Sequence, residues 1–375
     1  MTKQEFLNAL RGELRSLSEE DIERSLAYFS EAIDDRIEDG MPEEDAVAEM
    51  GPVKSAAAGV LADVQRDTRQ SEHRTYRPGD DSVRISEAFK HIRIEDSECY
   101  IKLLPSADGA CCVEYANCGS IRHDCFVENE TLVIRSVDER RWFEKLGIRD
   151  RQMRVSLYMP ATGYETLFIN TASGDISIAE GFAFLNAELK TASGDVKLSA
   201  YSEEKLSIHS SSGDITASVQ GPGSVKADSM SGDVQIIGNT GEGDVAAESK
   251  SGDVKIESVQ CSFLKAHTLS GDMIISDAAC ITANINTVSG DVCARKLVAS
   301  GELNAESVSG DVKLTQCDGA NMYLKTVSGD IAALLESPKR FVFSTVSGHI
   351  SVPQTFGEGE CEIRTISGNA RITVK

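Results

Sequence analysis

From residue 171 onward one short unit recurs eleven times, in its commonest form Ser/Thr-x-Ser-Gly-Asp-Val/Ile. Its glycines are Gly174, Gly194, Gly213, Gly232, Gly252, Gly271, Gly290, Gly310, Gly329, Gly348 and Gly368, and successive gaps are always 19 or 20 residues. A fixed period of that length marks a solenoid, in which each repeat is one rung and contacts only its neighbours. The spacing predicts a β-solenoid of eleven 19–20 residue rungs over residues 166–375.

With each glycine numbered zero, positions −7 and −5 are apolar in every rung, as in Leu206 and Ile208, and so are +2 and +4, as in Val254 and Ile256. A period of two on both sides of the glycine means two short strands, each with one buried face. The parity switches between −5 and +2, so the chain turns at Ser-Gly-Asp, where glycine is expected to supply backbone angles that a side chain forbids. The variable stretch after +4 then forms a second, exposed turn. At a stacking distance of about 4.8 Å, eleven coils give a rod on the order of 50 Å long.

Stacking turns identical positions into ladders. Position −3 is Ser or Thr throughout, from Thr171 to Thr365, and shares the buried face with −5 and −7, so its hydroxyls are expected to bond one another and the turn backbone. Nine rungs place Asp after the glycine: Asp175, Asp195, Asp214, Asp233, Asp253, Asp272, Asp291, Asp311 and Asp330, with His349 and Asn369 in the last two. Stacked carboxylates repel unless compensated. A calcium loop needs several oxygens per turn, whereas each turn here offers one carboxylate, so the Asp side chains are read as caps on turn amides and the rod as metal-independent. Position −2 admits Lys250 among valines and therefore reaches solvent.

Upstream of the rod the pattern changes. Residues 1–66 read as a small helical bundle: Thr2 and Glu5 have capping-box spacing, Phe6, Leu10 and Leu14 form one stripe, and a second helix from the Ser18–Asp21 cap runs to a stop at Gly40. Pro42 opens a third helix, and Gly51-Pro52 separates it from a last one. A domain this short has a limited core and commonly relies on a partner. Tyr28 and Phe29, at the margin of its apolar stripe, are the candidate contact residues. Residues 67–81 are polar and aperiodic, as a linker is. Alternating runs return over 82–165 without the 19-residue period, which reads as a β cap region over the first rung. The one tryptophan, Trp142, lies between two of these runs, as a loop anchor or a second candidate contact.

Thirty-eight basic against 60 acidic residues give a net charge of −22, which repels nucleic acid and anionic membranes. The sequence has no apolar run of membrane-spanning length and no signal-peptide core at Met1–Glu5, so a cytoplasmic location is expected, with a non-classical cell-surface route as the alternative. Ten cysteines without a CxxC pair fit a reducing compartment and argue against a zinc or redox motif. Six dispersed histidines and the lack of a nucleophile elbow or phosphate loop leave no catalytic set and no cofactor site.

The stretch Met1-Thr-Lys-Gln-Glu-Phe-Leu, with Asp-Asp-Arg-Ile-Glu-Asp-Gly40 and Glu-Glu-Asp-Ala-Val, resembles the bacterial HAAS helical signalling domain, whose genes tend to accompany PadR-type winged-helix regulators. Tyr158-Met-Pro160, Tyr164 and the Ser-Gly-Asp repeats resemble the bacterial adhesin-like family of β-strand-repeat proteins, and the pair matches the arrangement of LiaX-like envelope-stress proteins. The resemblance implies a non-enzymatic signalling or scaffold protein: the β-rod senses something related to the envelope and the helical domain relays it to a PadR-type regulator or another envelope-stress component. The competing class is a surface adhesin or structural rod. A carbohydrate-active solenoid is a third class, but it would need an exposed aromatic row, and Phe341 and Phe343 sit at buried parity.

Overall fold

The protein is described here by a computed structural model, in which residues 1–15, 19–38, 41–58, 60, 82–116, 118, 121–138, 153–238 and 241–375 are described. The Gly40 stop, the Ser18 cap, the 67–81 linker and Trp142 lie outside these residues. The chain divides into two units, Met1–His73 and Arg74–Lys375.

Unit 1 is helical. α1 (Lys3–Glu13) starts on the expected capping box, in which the Thr2 hydroxyl accepts from Glu5 N and the Glu5 carboxylate accepts from Thr2 N. α2 (Glu19–Glu38) and α3 (Glu43–Glu49) pack with it around Phe6, Leu10, Leu14, Ile22, Ile33 and Val47. Residues 53–58 add a fourth helical stretch after Pro52.

Unit 2 is a parallel β-solenoid. Each rung contributes one strand before its glycine and one after, and both stack in register on the next rung. Leu206 pairs with Val225, Val225 with Val245 and Val245 with Leu264. On the other side Ile215 pairs with Val234, Val234 with Val254 and Val254 with Met273. The apolar positions close into one core that runs the length of the unit. In four rungs the second turn is made by a non-glycine residue in the left-handed region, always six places after the glycine: Ser258, Asp277, Lys296 and Gln316.

The structure changes the reason for the turn glycines. Of the eleven, only Gly348 and Gly368 have positive φ, at 147° and 156°. What the others require is room, because the turns stack backbone on backbone. A Cβ on Gly271 would lie 2.2 Å from Gly252 O, and one on Gly310 would lie 1.9 Å from Gly290 O. No side chain fits at those distances, whatever its torsional preference.

At the C-terminal end the rungs do not stack in chain order. The strand Glu360–Arg364 of the Gly368 rung pairs with Met322–Lys325 of the Gly329 rung on one side and with Arg340–Ser344 of the Gly348 rung on the other. Ala370–Val374 likewise lies between Ile331–Leu335 and Ile350–Ser351. The Gly348 rung is therefore outermost, which corrects the expectation for Phe343: it has inward parity but is 51% exposed, because no rung covers it.

The N-terminal end makes the same exchange. β1 (Ser82–Ile85), β2 (His91–Asp96), β3 (Tyr100–Pro105), β4 (Cys111–Ala116), β5 (Ile121–Glu128), β6 (Thr131–Asp138) and β7 (Arg154–Met159) precede β8 (Gly163–Thr171) and β9 (Ile176–Thr191), which carry the Gly174 rung. β2 and β3 stack on β8 and β9, and β6 and β7 stack outside β2 and β3. Antiparallel partners then cover this end, with β5 on β6, β4 on β7 and β1 on β4.

Candidate functional site

Two of the stacked ladders are structural. The Thr191 hydroxyl accepts from Gly194 N at 2.9 Å and donates to Gly174 O at 3.3 Å, so it ties its own turn to the neighbouring one. Ser210, Ser229 and Ser249 repeat both bonds. From Thr171 to Thr326 the hydroxyls thus bond the turn backbone rather than one another, while those of Thr345 and Thr365 have no partner among the described residues. In the aspartate ladder each Oδ1 accepts the backbone N–H of the next rung's residue, as from Asp272 N to Asp253 Oδ1 at 2.8 Å. The ladder does not stop at the substitutions: Asn369 N donates to Asp330 Oδ1 and His349 N donates to Asn369 Oδ1. These bonds follow the exchanged rung order.

Position −2 forms a third ladder and faces solvent. In spatial order Leu269, Val288, Val308, Val327, Ile366 and Val346 stand side by side, all exposed except the half-buried Val327. The rung exchange keeps this apolar stripe unbroken to the end of the rod. A continuous row of apolar side chains facing water is a surface of the kind that can take a partner.

The candidate contact residues of the bundle fare differently. Phe29 is 2% exposed and its ring meets Phe6 at 5.7 Å, so it belongs to the bundle's core and presents no contact surface. The stripe parity that singled it out marks an inward position. Tyr28 lies on α2, and its side chain and Trp142 lie outside the described residues.

Sequence reasoning missed one cluster. In β2 and β3, Ile92, Ile94, Asp96, Cys99, Ile101 and Leu103 occupy the −7, −5, −3, 0, +2 and +4 positions of a further, degenerate rung, as their pairing with Leu167, Ile169, Thr171, Ile176 and Ile178 shows. Cys99 takes the glycine's place and Asp96 the hydroxyl's: Asp96 Oδ1 accepts from Cys99 N at 2.7 Å, as the Thr171 hydroxyl accepts from Gly174 N. β6 ends at Asp138 and β7 begins at Arg154, and the sequence between them carries no Ser-Gly-Asp unit.

Into this end of the turn column come Cys118, just beyond β4, and His123 of β5. Cys99 Sγ is 4.0 Å from Cys118 Sγ and 3.7 Å from His123 Nε2, and His123 Nε2 is 2.7 Å from Asp96 Oδ2. All four residues are buried, and the Tyr115 ring stacks on the imidazole. Among the described residues, Cys99, Cys118 and His123 are the one Cys/His/carboxylate group with ligand atoms at metal-binding separations.

Burial raises the Asp96 carboxyl's pKa, but the hydrogen bond and charge of His123 and the amides of Cys99 and Glu98 outweigh it and hold the group below its usual range. The hydrogen bond between the two thiols pushes their pKa values apart. The hydrogen bond to Cys118 and burial keep Cys99 protonated, while the same bond, opposed by burial and helped by His123, draws Cys118 down to about 7.

No curated protein matches the chain. A crystal structure from Bacteroides fragilis described as a candidate adhesin is 13% identical, with 78% of this chain and 96% of that one covered and a TM-score of 0.24. A candidate cell adhesion protein from Clostridium sporogenes is 7% identical over 80% and 100% of the two chains, with a TM-score of 0.16. Superpositions that poor carry no argument. Family models are more informative. The HAAS model matches residues 5–59, which gives the chain an N-terminal HAAS domain, and the Toastrack DUF4097 model matches residues 89–249 and 220–375. Since the two Toastrack matches together span most of the sequence and coincide with the solenoid, the chain belongs to the Toastrack DUF4097 family.

Proposed function

We propose that this protein is a non-enzymatic signalling scaffold, in which the β-solenoid binds a component of the bacterial envelope-stress response and the HAAS domain contacts a regulator of the PadR type. The observation that carries this reading is the division of the chain into two units with separate cores, one a rod with a continuous exposed apolar stripe and the other a small acidic bundle. A rod of stacked rungs offers length and repetition, which suit binding to an extended partner. The bundle carries seven basic and sixteen acidic residues over positions 1–66, a difference of minus nine, which favours a basic protein surface over DNA. Among the described residues no helix is long and apolar enough to cross a membrane. A cytoplasmic location is part of the proposal.

Co-purification of the full chain from its native cells tests the reading. A Tyr28→Asp variant should lose the regulator and keep whatever the rod holds, whereas Leu269→Asp with Val288→Asp should do the reverse. Recovery of the chain on the cell surface, with no transcription regulator attached in any variant, would favour the adhesin class instead.

A further inference from the structure

We propose that Cys99, Cys118, His123 and Asp96 form a structural Zn²⁺ site that fastens the β4–β5 connection to the first turn of the solenoid. The spacing argument against zinc held only for contiguous motifs. These ligands come from three separate places in the chain and meet because Asp96 and Cys99 occupy the −3 and 0 positions of a rung whose outer neighbour lacks the Ser-Gly-Asp turn.

For Cys99, Cys118 and His123, whose ligand atoms all lie within 4.8 Å of one another, the distances fit the ion; Asp96 is outside that group and has to move closer to complete the tetrahedron. A tetrahedron with Zn–S of about 2.3 Å and Zn–N of about 2.0 Å has edges of about 3.8 Å between sulfurs and about 3.5 Å between sulfur and nitrogen. The corresponding separations are 4.0 Å for Cys99 to Cys118 and 3.7 Å for Cys99 to His123 Nε2. Asp96 Oδ2 now accepts a hydrogen bond from His123 Nε2 at 2.7 Å. With the ion bound, that proton moves to His123 Nδ1, which has no hydrogen-bond partner among the described residues, and both Nε2 and Oδ2 turn their lone pairs to the metal. Asp96 Oδ1 accepts from the Glu98 and Cys99 amides, which leaves Oδ2 as the oxygen that turns toward the ion.

The chemistry of the burial points the same way. Most of the core is Ile, Leu, Val and Ala, with Phe, Met, Tyr and further Cys among them, whereas a buried carboxylate against an imidazole costs more than apolar packing unless something compensates it. Two thiolates, one neutral imidazole and one carboxylate around a divalent ion leave a net charge of about −1 in a closed, four-coordinate site, the pattern of structural rather than catalytic zinc. Each thiol that enters protonated releases its proton to solvent on binding.

The test uses the full chain, reduced and stripped with a chelator. Zn²⁺ titrated against a chromophoric chelator should load about one equivalent per chain. Co²⁺ should show the d–d absorption of a tetrahedral site with thiolate charge transfer. Loading should vanish in Cys99→Ser and in Cys118→Ser, survive in Cys261→Ser, and weaken by about 10–100-fold in Asp96→Asn. Should the serine variants fail to fold, alkylation of the unmutated chain decides: Zn²⁺ should shield Cys99 and Cys118 and leave the reactivity of the half-buried Cys112 and Cys293 unchanged. Absence of stoichiometric uptake, uptake that persists without both thiols, or a Cys99–Cys118 disulfide whose reduced form takes no metal would each overturn the proposal.

Discussion

Gly271→Ala is the sharpest probe of why the turns need glycine. Its Cβ would meet Gly252 O at 2.2 Å and Gly252 C at 2.6 Å, both backbone atoms of the neighbouring rung. Relief requires the two turns to part by about 1 Å, since ordinary carbon–oxygen contacts begin above about 3.2 Å. Four hydrogen bonds cross that gap: Thr268 Oγ1 to Gly252 O at 2.9 Å, Asp272 N to Asp253 Oδ1 at 2.8 Å, Ser270 N to Lys250 O at 3.0 Å and Val254 N to Asp272 O at 2.9 Å. Losing two of them at about 1 kcal/mol each, with an overpacking cost of about 1–3 kcal/mol, gives a destabilisation of about 3–5 kcal/mol. Asp272→Asn keeps an Oδ1 acceptor for Asp291 N, as Asn369 does for His349 N, and should cost less than about 1 kcal/mol. Because a rod need not unfold in one step, hydrogen exchange of amides in the Gly252 and Gly271 rungs is the assay, with protection expected to fall by about two to three orders of magnitude in Gly271→Ala. Gly271→Asn separates the two explanations. If backbone torsion were the constraint, Asn would be milder than Ala; close approach makes Asn at least as damaging, and a milder Asn would refute the stacking argument.

Other perturbations read other parts of the structure. Thr191→Val leaves Gly194 N without its acceptor and Gly174 O without its donor in a buried turn, and should lower thermal stability by about 2–3 kcal/mol. Gln316→Gly removes a side chain from a backbone with φ of 57° and should raise stability by about 0.5–1 kcal/mol, measured by denaturant midpoint. Lys339 is 6% exposed and its ammonium meets Asp318 at 2.9 Å. Burial raises the Asp318 carboxyl's pKa, but Lys339 and Ser337 hold it below its usual value. A depressed carboxylate stabilises above its unfolded pKa of about 3.9 and loses that contribution as pH falls through the folded value. Acid titration of stability should therefore be shallower in Asp318→Asn than in the parent chain below about pH 4, and at neutral pH that variant should be destabilised because Lys339 stays buried without its counter-charge.

The solenoid was legible because stacking forces every rung to repeat the same apolar, hydroxyl and glycine positions. The rung order at the ends was not, since an exchanged rung satisfies the same pattern as a sequential one. Phe341 and Phe343 show the consequence: inward parity does not bury a residue on the outermost rung. Phe29 shows the converse, because an apolar residue on a stripe margin is a contact only if the bundle leaves it outside. Cys118 and His123 carry no local signal at all. Asp96 and Cys99 did, since Ile92-x-Ile94-x-Asp96-x-x-Cys99-x-Ile101-x-Leu103 is the repeat with its hydroxyl and its glycine replaced, and the two replacements together mark where the turn column changes chemistry.

Cross-linking of the full chain in its native cells, followed by mass spectrometry of the linked peptides, tests the two-ended scaffold most directly. The account predicts links from Lys3 and Lys54 of the helical unit to one regulator, and links from the rod, at residues such as Lys250 and Lys265, to a different partner. Links from the helical unit to no protein, with the regulator bound only through the rod, would contradict it.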